Sequence, residues 1–185
     1  MMHATAGWHY VTFSCELGWM ALSGRAGHIS RLTFGHRNEL AARRDLKLPR
    51  GAVRDDLWFG DLVERLQAYA RGAFDDFRDV AVDVDLRTEF AAMVSDCCRQ
   101  IPPGATLSYA DLAVAVGRRG AARAVANVMR TNPVPIIIPC HRVVGRDGKM
   151  HGYSAAGGIA TKRQLLEMEL ASRVWAGVAE VVETS

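Results

Sequence analysis

Hydrophobic and polar residues alternate with a period of two in the first part of the chain, a pattern typical of half-buried β-strands. The alternation occurs in three short segments that are separated by glycine-bearing turns: residues 10–14, 18–23 and 28–34. Residues 81–86 alternate Val with Asp and predict a further, half-exposed strand. Residues 37–54 are polar and mixed in charge, and they favour no particular element. The pattern therefore predicts an antiparallel sheet near the start of the chain.

The period becomes helical over residues 55–70. Apolar side chains recur there at helical spacing: Leu57, Trp58, Leu62, Leu66 and Tyr69. A second helical run begins at Thr88 and stops at Pro102. Its apolar positions are predicted to share one face: Phe90, Val94, Cys97 and Ile101. The change of period predicts an amino-terminal α/β domain over residues 1–87 and a carboxy-terminal domain over residues 88–185.

Two short helices are predicted after this run. Ser108 and Asp111 match a capping box, in which the serine oxygen accepts a hydrogen bond from the amide three residues on. The buried stripe of the first helix comprises Tyr109, Leu112 and Val116. After a turn at residues 117–120, the second helix points Ala122, Val125, Ala126 and Met129 inward and Arg123, Asn127 and Arg130 outward. This pattern favours a helix-turn-helix, although helical hairpins of purely structural purpose share the spacing.

Composition narrows the class of protein. A chain of 185 residues with 49% hydrophobic and 23% charged residues is globular, which excludes disorder, collagen and a coiled coil. The sequence has neither a run of about eighteen apolar residues nor a basic start followed by an apolar core. We therefore expect a cytoplasmic protein, or a nuclear one in a eukaryote. Four cysteines are expected to be reduced thiols: Cys15, Cys97, Cys98 and Cys140.

The formal net charge of +3 is distributed unevenly. Residues 118–163 contain nine Lys and Arg residues and a single acid, Asp147. Such a concentration of positive charge predicts a contact surface for a polyanion.

One cysteine lies inside this basic window. Residues 132–144 read Asn-Pro-Val-Pro-Ile-Ile-Ile-Pro-Cys-His-Arg-Val-Val, which predicts a short apolar strand, bounded by prolines, that leads to Cys140. A free thiol titrates at about 8.5, so a reactive cysteine needs neighbours that stabilise its thiolate. His141 and Arg142 are adjacent in sequence, but in an extended segment Cys140 and His141 point to opposite faces. The residues alone leave Cys140 as either a nucleophile or a buried hydrophobic residue.

The surrounding motifs resemble the O6-alkylguanine-DNA alkyltransferase family, whose members repair methylated DNA by accepting the alkyl group on a cysteine. Four motifs carry the resemblance: Pro-Cys-His-Arg-Val at 139–143, Gly-Ala-Ala-Arg-Ala-Val at 120–125, Gly-Tyr-Ser at 152–154 and Lys-Arg-Gln-Leu-Leu at 162–166. The strong match extends from about residue 90 to residue 169. It implies an α/β fold, with a ribonuclease-H-like amino-terminal domain and a winged-helix-like carboxy-terminal domain that holds the helix-turn-helix and a small strand pair.

The resemblance implies a catalytic role for several residues. Cys140 is the implied alkyl acceptor, His141 the base that deprotonates it through a water, and Glu169 the carboxylate that orients the histidine. Asn132 is implied to tie the helix-turn-helix to the cysteine loop. Tyr109 is implied to crowd the target phosphate and to help rotate the base outward.

Substrate and DNA contacts follow from the same resemblance. Arg123 is implied to take the place of the flipped nucleotide in the base stack. The other implied DNA contacts are Ala121, Ala122 and Arg130. The implied walls of the guanine pocket are Tyr153, Ser154, the backbone of Val143, and Met129, while Lys162 supports the active-site loop.

The resemblance also implies the partner and the type of reaction. The substrate is O6-alkylguanine in double-stranded DNA, with O4-alkylthymine as a second candidate. The alkyl group is transferred once and irreversibly by a monomer, without a metal, an organic cofactor or a membrane.

Some alternatives stay open. Residues 154–161 are about two residues longer than the commonest family pattern, which makes Glu167 an alternative to Glu169. A non-catalytic sensor of alkylguanine and a helix-turn-helix transcriptional regulator are the alternative functions. A zinc site is a weaker alternative in the first domain, because its candidate ligands show no recognisable spacing: His3, His9, Cys15 and His28.

Overall fold

The computed structural model describes residues 7–86, 88–150 and 152–183, with the side chains of the last helix described up to Ser172. The fold is α/β, and the chain divides into two compact units. The first unit comprises Met1–Arg71, Asp79–Asp85 and Pro133–Pro135. The second comprises Gly72–Arg78, Leu86–Asn132 and Ile136–Ser185.

The first unit contains a four-stranded mixed sheet. Its strands are β1 (His9–Cys15), β2 (Gly18–Arg25), β3 (His28–His36) and β4 (Val53–Arg54), in the order β3-β2-β1-β4. The three predicted strands are confirmed, and their neighbours pair antiparallel. The short β4 pairs parallel with β1, so the sheet is mixed rather than purely antiparallel.

Alternation along β1 and β2 gives the sheet two buried faces. On one face Tyr10 and Ala21 pack against Ala42 and Leu46, which lie in and just after helix α1 (Glu39–Asp45). The sequence pattern did not predict α1, which begins where the Asn38 side chain accepts from the backbone amide of Ala41 at 2.9 Å. The opposite-face residues are also buried: Val11, Phe13, Met20 and Leu22.

Helix α2 (Gly60–Ala70) is shorter than the helix predicted over residues 55–70. The Asp55 carboxylate accepts from the backbone amides of Leu57 and Trp58, which makes an Asx turn in place of the first helical turn. Leu57 is consequently 91% exposed, so its predicted place on the apolar face was wrong. Leu62, Leu66 and Tyr69 are buried, as predicted.

The strand predicted over residues 81–86 was also wrong. Where the structure describes this segment, it shows an isolated parallel bridge between Val82 and Ile29. The alternating acids are exposed, and two backbone hydrogen bonds with Ile29 join the segment to β3.

The second unit is mainly helical. Its elements in chain order are α3 (Glu89–Arg99), β5 (Leu107–Ser108), α4 (Tyr109–Ala115), α5 (Ala122–Arg130), a 3₁₀ turn (Cys140–Arg142), β6 (Val143–Val144) and α6 (Ile159–Glu183). The predicted small strand pair is present, with β5 and β6 parallel. Over the described ranges of both units, no helix combines the length and the hydropathy that a membrane span requires.

Helix α3 buries a different cysteine from the one predicted. Val94 and Cys98, one turn apart, are both 0% exposed, whereas Cys97 is half-buried. Counted from Val94, the buried position is therefore i+4, which is Cys98, and not i+3, which is Cys97. Cys97 was predicted on the apolar face with Val94, but Cys98 takes the buried position.

The two predicted helices of the helix-turn-helix are confirmed. Ser108 Oγ accepts from the Asp111 amide at 3.0 Å and donates to the Asp111 carboxylate at 2.6 Å, which caps α4. The turn contains Gly117 and Gly120, whose positive φ angles of 71° and 84° favour glycine. On α5 the buried side chains are Val125 and Met129, and the exposed ones include Arg123, Asn127 and Arg130.

The segment before the cysteine is not the apolar strand that was predicted. Prolines at positions 133, 135 and 139 lack the amide donors of a strand ladder, and Ile136 has a left-handed φ of 74°. The segment forms turns whose isoleucines are buried: Ile136, Ile137 and Ile138. It ends in the 3₁₀ turn that carries Cys140.

Candidate active site

A cavity of about 480 Å³ lies in the second unit beside α5. Most of its lining residues are predicted site residues: Tyr109, Arg123, Met129, Arg130, Cys140, Tyr153, Ser154 and Lys162. Ala126, Asn127 and Gly152 complete the lining. The structure therefore brings together residues from α4, α5, the cysteine turn, the loop after β6, and α6.

Some predicted site residues do not line the cavity. Val143 is buried, and its backbone carbonyl accepts a hydrogen bond from Lys162 Nζ. Ala121 and Ala122 are half-buried at the start of α5. Asn127 was missed as a lining residue, and its side-chain oxygen accepts from Arg130 Nη2 at 2.7 Å.

Asn132 joins the end of α5 to the cysteine turn. Its side-chain nitrogen donates to the carbonyl of Ile138 at 2.7 Å and to Cys140 Sγ at 3.1 Å. Cys140 is 3% exposed. The amide thus holds the thiol at the cavity and offers a hydrogen bond that the thiolate accepts.

Burial raises the pKa of the Cys140 thiol, because a thiolate is poorly solvated there. The Asn132 hydrogen bond, the Lys162 charge and the Tyr153 hydroxyl oppose that rise. The positive charge that stabilises the thiolate therefore comes from Lys162 on α6. The sequence neighbours His141 and Arg142, which were the obvious local candidates, point to Glu169 instead.

His141 and Glu169 form a buried pair. His141 Nε2 lies 2.8 Å from Glu169 Oε1, and the two side chains are 0% and 1% exposed. The other ring nitrogen, Nδ1, has no hydrogen-bond partner within the described part of the protein. Burial lowers the pKa of His141, although the carboxylate opposes this shift. Glu167 is exposed, so Glu169 is the carboxylate that contacts the histidine despite the longer loop.

Arg142 is a further site residue that the sequence did not assign to this pair. Its guanidinium is fully buried, contacts both oxygens of Glu169 at 2.8–3.2 Å and donates from Nη1 to the carbonyl of Ile101 at 2.6 Å. Burial alone would raise the pKa of Glu169, but hydrogen bonds and charge from His141 and Arg142 hold it well below its usual range. An arginine inside a long apolar run is a signal for such a partner, since buried arginines are rarely unpaired.

Lys162 is a second buried cation. It is 1% exposed, donates from Nζ to the carbonyl of Val143 at 2.6 Å, and lies 5.8 Å from the centre of the Tyr109 ring. Burial lowers its pKa. Lys162 therefore links α6, the strand after the cysteine turn, and the first residue of α4.

Two of the nine basic residues in the window predicted to contact a polyanion are buried, namely Arg142 and Lys162. The other seven are exposed: Arg118, Arg119, Arg123, Arg130, Arg146, Lys149 and Arg163. The window thus supplies both an exposed basic surface and two internal charges at the site.

The zinc alternative does not fit the first unit. His9 and Cys15 occupy opposite ends of β1, about 20 Å apart for a seven-residue strand, so they do not share an ion. His28 contacts the backbone carbonyl of Ala26 at 2.9 Å, and His3 lies outside the described residues.

The fold and the site define a class: a helix-turn-helix unit that carries a buried cysteine in a cavity beside its second helix. The sequence profile of the "6-O-methylguanine DNA methyltransferase, DNA binding domain" matches residues 89–171. A methylated-DNA--protein-cysteine methyltransferase of Mycobacterium bovis is 38% identical, over 87% of this chain and 92% of its own. The chain belongs to the methylated-DNA--protein-cysteine methyltransferase family.

Two further relatives agree with this membership. The enzyme of the same name from Methanosarcina barkeri is 32% identical, over 87% of this chain and 96% of its own. The crystal structure of Mycobacterium tuberculosis OGT in complex with DNA superposes with a TM-score of 0.74 at 35% identity, covering 89% of this chain and 94% of that one. The family resemblance read from the motifs is thereby confirmed.

Proposed function

We propose that this protein repairs O6-alkylguanine in double-stranded DNA by transferring the alkyl group to Cys140. One observation carries the proposal: the buried Cys140 thiol lines a cavity and accepts a hydrogen bond from Asn132. The next residue in the chain, His141, is hydrogen-bonded to the buried carboxylate of Glu169. O4-alkylthymine is a second candidate substrate. Relatives named for this reaction support the proposal.

The exposed face of α5 is the proposed DNA contact. Arg123 lines the cavity and is exposed, so it can enter the stack when the damaged nucleotide rotates out. Arg130 lies two turns later on the same helix, and Ala121 and Ala122 give its start a small profile. Tyr109, at the start of α4, crowds the phosphate of the target nucleotide.

The cavity takes the extruded base. Met129 supplies an apolar side, and Tyr153 and Ser154 supply hydroxyl groups towards the guanine. Val143 contributes indirectly, because its carbonyl anchors Lys162. The positive charge of this lysine favours the Cys140 thiolate.

Thiol activation uses the free nitrogen of His141. The thiol proton passes through a water to Nδ1, while Nε2 stays bonded to Glu169. The thiolate then attacks the alkyl carbon, so the S–C bond forms as the C–O6 bond breaks. The electron pair of that bond goes to guanine, which takes up the proton that the thiol released. The product is a thioether, and each molecule acts once without metal or organic cofactor.

The finer architecture is also part of the proposal. We take the first unit as ribonuclease-H-like, because helices cover its mixed sheet, and the second as winged-helix-like, because a strand pair accompanies the helix-turn-helix. We retain residue 87 as the boundary of the two domains and a monomer as the active form. Free cysteines in the described chain are compatible with a reducing, cytoplasmic compartment.

The two alternative functions have less support. A non-catalytic sensor of alkylguanine needs no acceptor thiol, yet Cys140 accepts a hydrogen bond from Asn132, and the charge of buried Lys162 favours its thiolate. A transcriptional regulator needs neither the thiol nor a cavity beside its recognition helix.

Mass spectrometry of the Cys140 peptide tests the proposal directly. After incubation with a duplex that contains one O6-methylguanine, we expect one methyl group on Cys140, in an amount that does not exceed the amount of protein. Cys140→Ala should carry no methyl group, and Cys97→Ala, which changes a thiol of the same unit that does not line the cavity, should react normally. Transfer by Cys140→Ala would refute the assignment of the acceptor.

A further inference from the structure

We propose that Arg142 is a positioning residue that holds Glu169 as a hydrogen-bond acceptor and thereby keeps the proton of neutral His141 on Nε2. The inference rests on the proposed transfer to Cys140 and adds a residue to it. Nδ1 of His141 is then left with its lone pair free to receive the thiol proton.

The contacts of Glu169 are the first step. Arg142 Nε lies 3.2 Å from Oε1 and 3.0 Å from Oε2, and Nη2 lies 2.8 Å from Oε1. The backbone amide of Gly104 donates to Oε2 at 3.1 Å. Both carboxylate oxygens therefore face donors that cannot give up their protons at neutral pH, and a planar guanidinium fixes the orientation of the carboxylate.

The consequence for His141 follows from hydrogen-bond chemistry. A carboxylate surrounded by donors has no proton of its own to offer, so the 2.8 Å contact with Nε2 requires the proton to lie on the nitrogen. If Glu169 were protonated, it could donate to Nε2 and move the ring proton to Nδ1. That tautomer cannot accept a proton from the thiol.

Charge gives Arg142 a second effect on the same pair. The groups that face His141 are Glu169 and Lys162 on α6, and Arg142 and Cys140 on its own turn. Glu169 favours the doubly protonated imidazolium, while Arg142 and Lys162 oppose it. Without Arg142 the carboxylate would be less compensated, and His141 would take up a second proton more readily.

A purely structural role for Arg142 makes a different prediction. The guanidinium also donates to the carbonyl of Ile101, so it tightens the packing between the end of α3 and the cysteine turn. Loss of that packing alone would slow transfer by one factor at every pH. Loss of proton control would slow transfer mainly at low and neutral pH, because a higher pH removes the extra proton from the pair.

The first experiment needs no variant. The ¹⁵N spectrum of the His141 side chain in the DNA-free protein distinguishes the two tautomers and the imidazolium. We expect a protonated Nε2 and an unprotonated Nδ1 at neutral pH. A proton on Nδ1 would overturn the proposal, whether or not methyl transfer occurs, so this outcome is distinct from a failure of the proposed function.

The second experiment compares Arg142→Met with wild type in single-turnover transfer from a duplex with one O6-methylguanine, across pH. At neutral pH we expect a rate about a hundredfold lower, at the lower end of what a positioned general base contributes. The deficit should shrink as pH rises, with the acidic limb displaced upward by about one pH unit or more. The His141 spectrum should show imidazolium or the other tautomer.

Controls separate folding from chemistry. Arg44→Met removes one exposed arginine of the first unit and should match wild type in rate, pH profile and spectrum. If Arg142→Met does not fold, Arg142→Gln serves in its place, because a neutral amide removes both the positive charge and the fork that bonds the two carboxylate oxygens. A loss by the same factor at every pH, with the wild-type His141 spectrum, would overturn the proposal for either variant.

Discussion

The buried charge of Lys162 affects the pKa of the Cys140 thiol. Its ammonium is inside the protein, bonded to the carbonyl of Val143, and its field favours the thiolate of Cys140. Burial raises the pKa of that thiol and is the largest effect on it. The lysine charge opposes this rise without reversing it, so the cysteine is not permanently ionised. The resting acceptor is therefore a thiol, and its proton must leave during the reaction.

Replacing Lys162 with Met should raise the thiol pKa further, because the thiolate loses a favourable charge. We expect a rise of about one unit or more. The pH dependence of Cys140 alkylation by iodoacetamide, followed on the Cys140 peptide, measures this shift in the DNA-free protein. Lys149→Met, which changes an exposed lysine paired with Asp147, should leave the thiol titration where it is. An unchanged titration in Lys162→Met would show that the lysine does not act on the thiolate.

Individual site residues were predictable from the sequence where a motif held them together. Cys140, His141 and Asn132 lie close in one segment that carries the family resemblance. Glu169 was implied by the same resemblance, with Glu167 as the alternative, and the contact with His141 selects Glu169. The apolar run around Arg142 indicates a buried partner but not its identity, and adjacency to Cys140 suggested that the arginine would stabilise the thiolate. The burial and the direction of the Arg142 side chain depend on the 3₁₀ turn that contains it, whereas the sequence pattern had indicated an extended segment.

Helix α5 carries the proposed exchange between protein and DNA. Val125 and Met129 are buried and fix the orientation of the helix. Arg123 is therefore on its exposed side, at the edge of the cavity. Arginine at this point can fill the gap in the stack only while a nucleotide is out of it.

Arg123→Ala should therefore slow transfer from duplex DNA by about ten- to hundredfold, since a few kcal/mol of unstacking lose their compensation. Reaction with the free base O6-methylguanine should change little, because no nucleotide has to leave a stack. Single-turnover rates with the two substrates give the comparison, with Arg44→Ala on α1 as the matched exposed arginine. Equal losses on both substrates would contradict a role in flipping.

Elements with strong local signals were predicted well, and those decided by backbone detail were not. The cap at Ser108, the glycine turn and the period of α5 all agree with the sequence pattern. Helix α2 begins later than predicted because Asp55 forms a turn with its own neighbours. Periodicity alone does not report such side-chain competition for backbone amides.

At the scale of the whole molecule, buried titratable groups make stability depend on pH. His141 and Glu169 have pKa values below their ordinary 6.5 and 4.5, so the unfolded chain binds more protons than the folded one in acid. The Cys98 and Cys140 thiols have pKa values above the ordinary value of a thiol, so the unfolded chain loses protons first in alkali. Lys162 opposes the alkaline effect, but Cys15 and Cys97 add to it.

We therefore expect stability to be greatest between about pH 6.5 and 9 and to fall on both sides. Urea unfolding midpoints at about pH 5, 7.5 and 9.5 measure this directly. Cys98→Ala removes one buried thiol and should flatten the alkaline fall without changing the acidic one. A stability that keeps rising above pH 9 would contradict the prediction.

The parallel pairing of β5 with β6 sets a fixed gauge for the proposed reaction. Leu107 lies opposite Val143, Tyr109 follows β5 directly, and the turn with Cys140 directly precedes β6. Two adjacent strands are about 4.8 Å apart, so the proposed phosphate contact and the proposed alkyl acceptor are attached to neighbouring strands. In the proposed reaction a stacked base therefore has to leave the stack to reach Cys140. In that reaction the DNA supplies the part that moves, because the nucleotide has to come to the thiol.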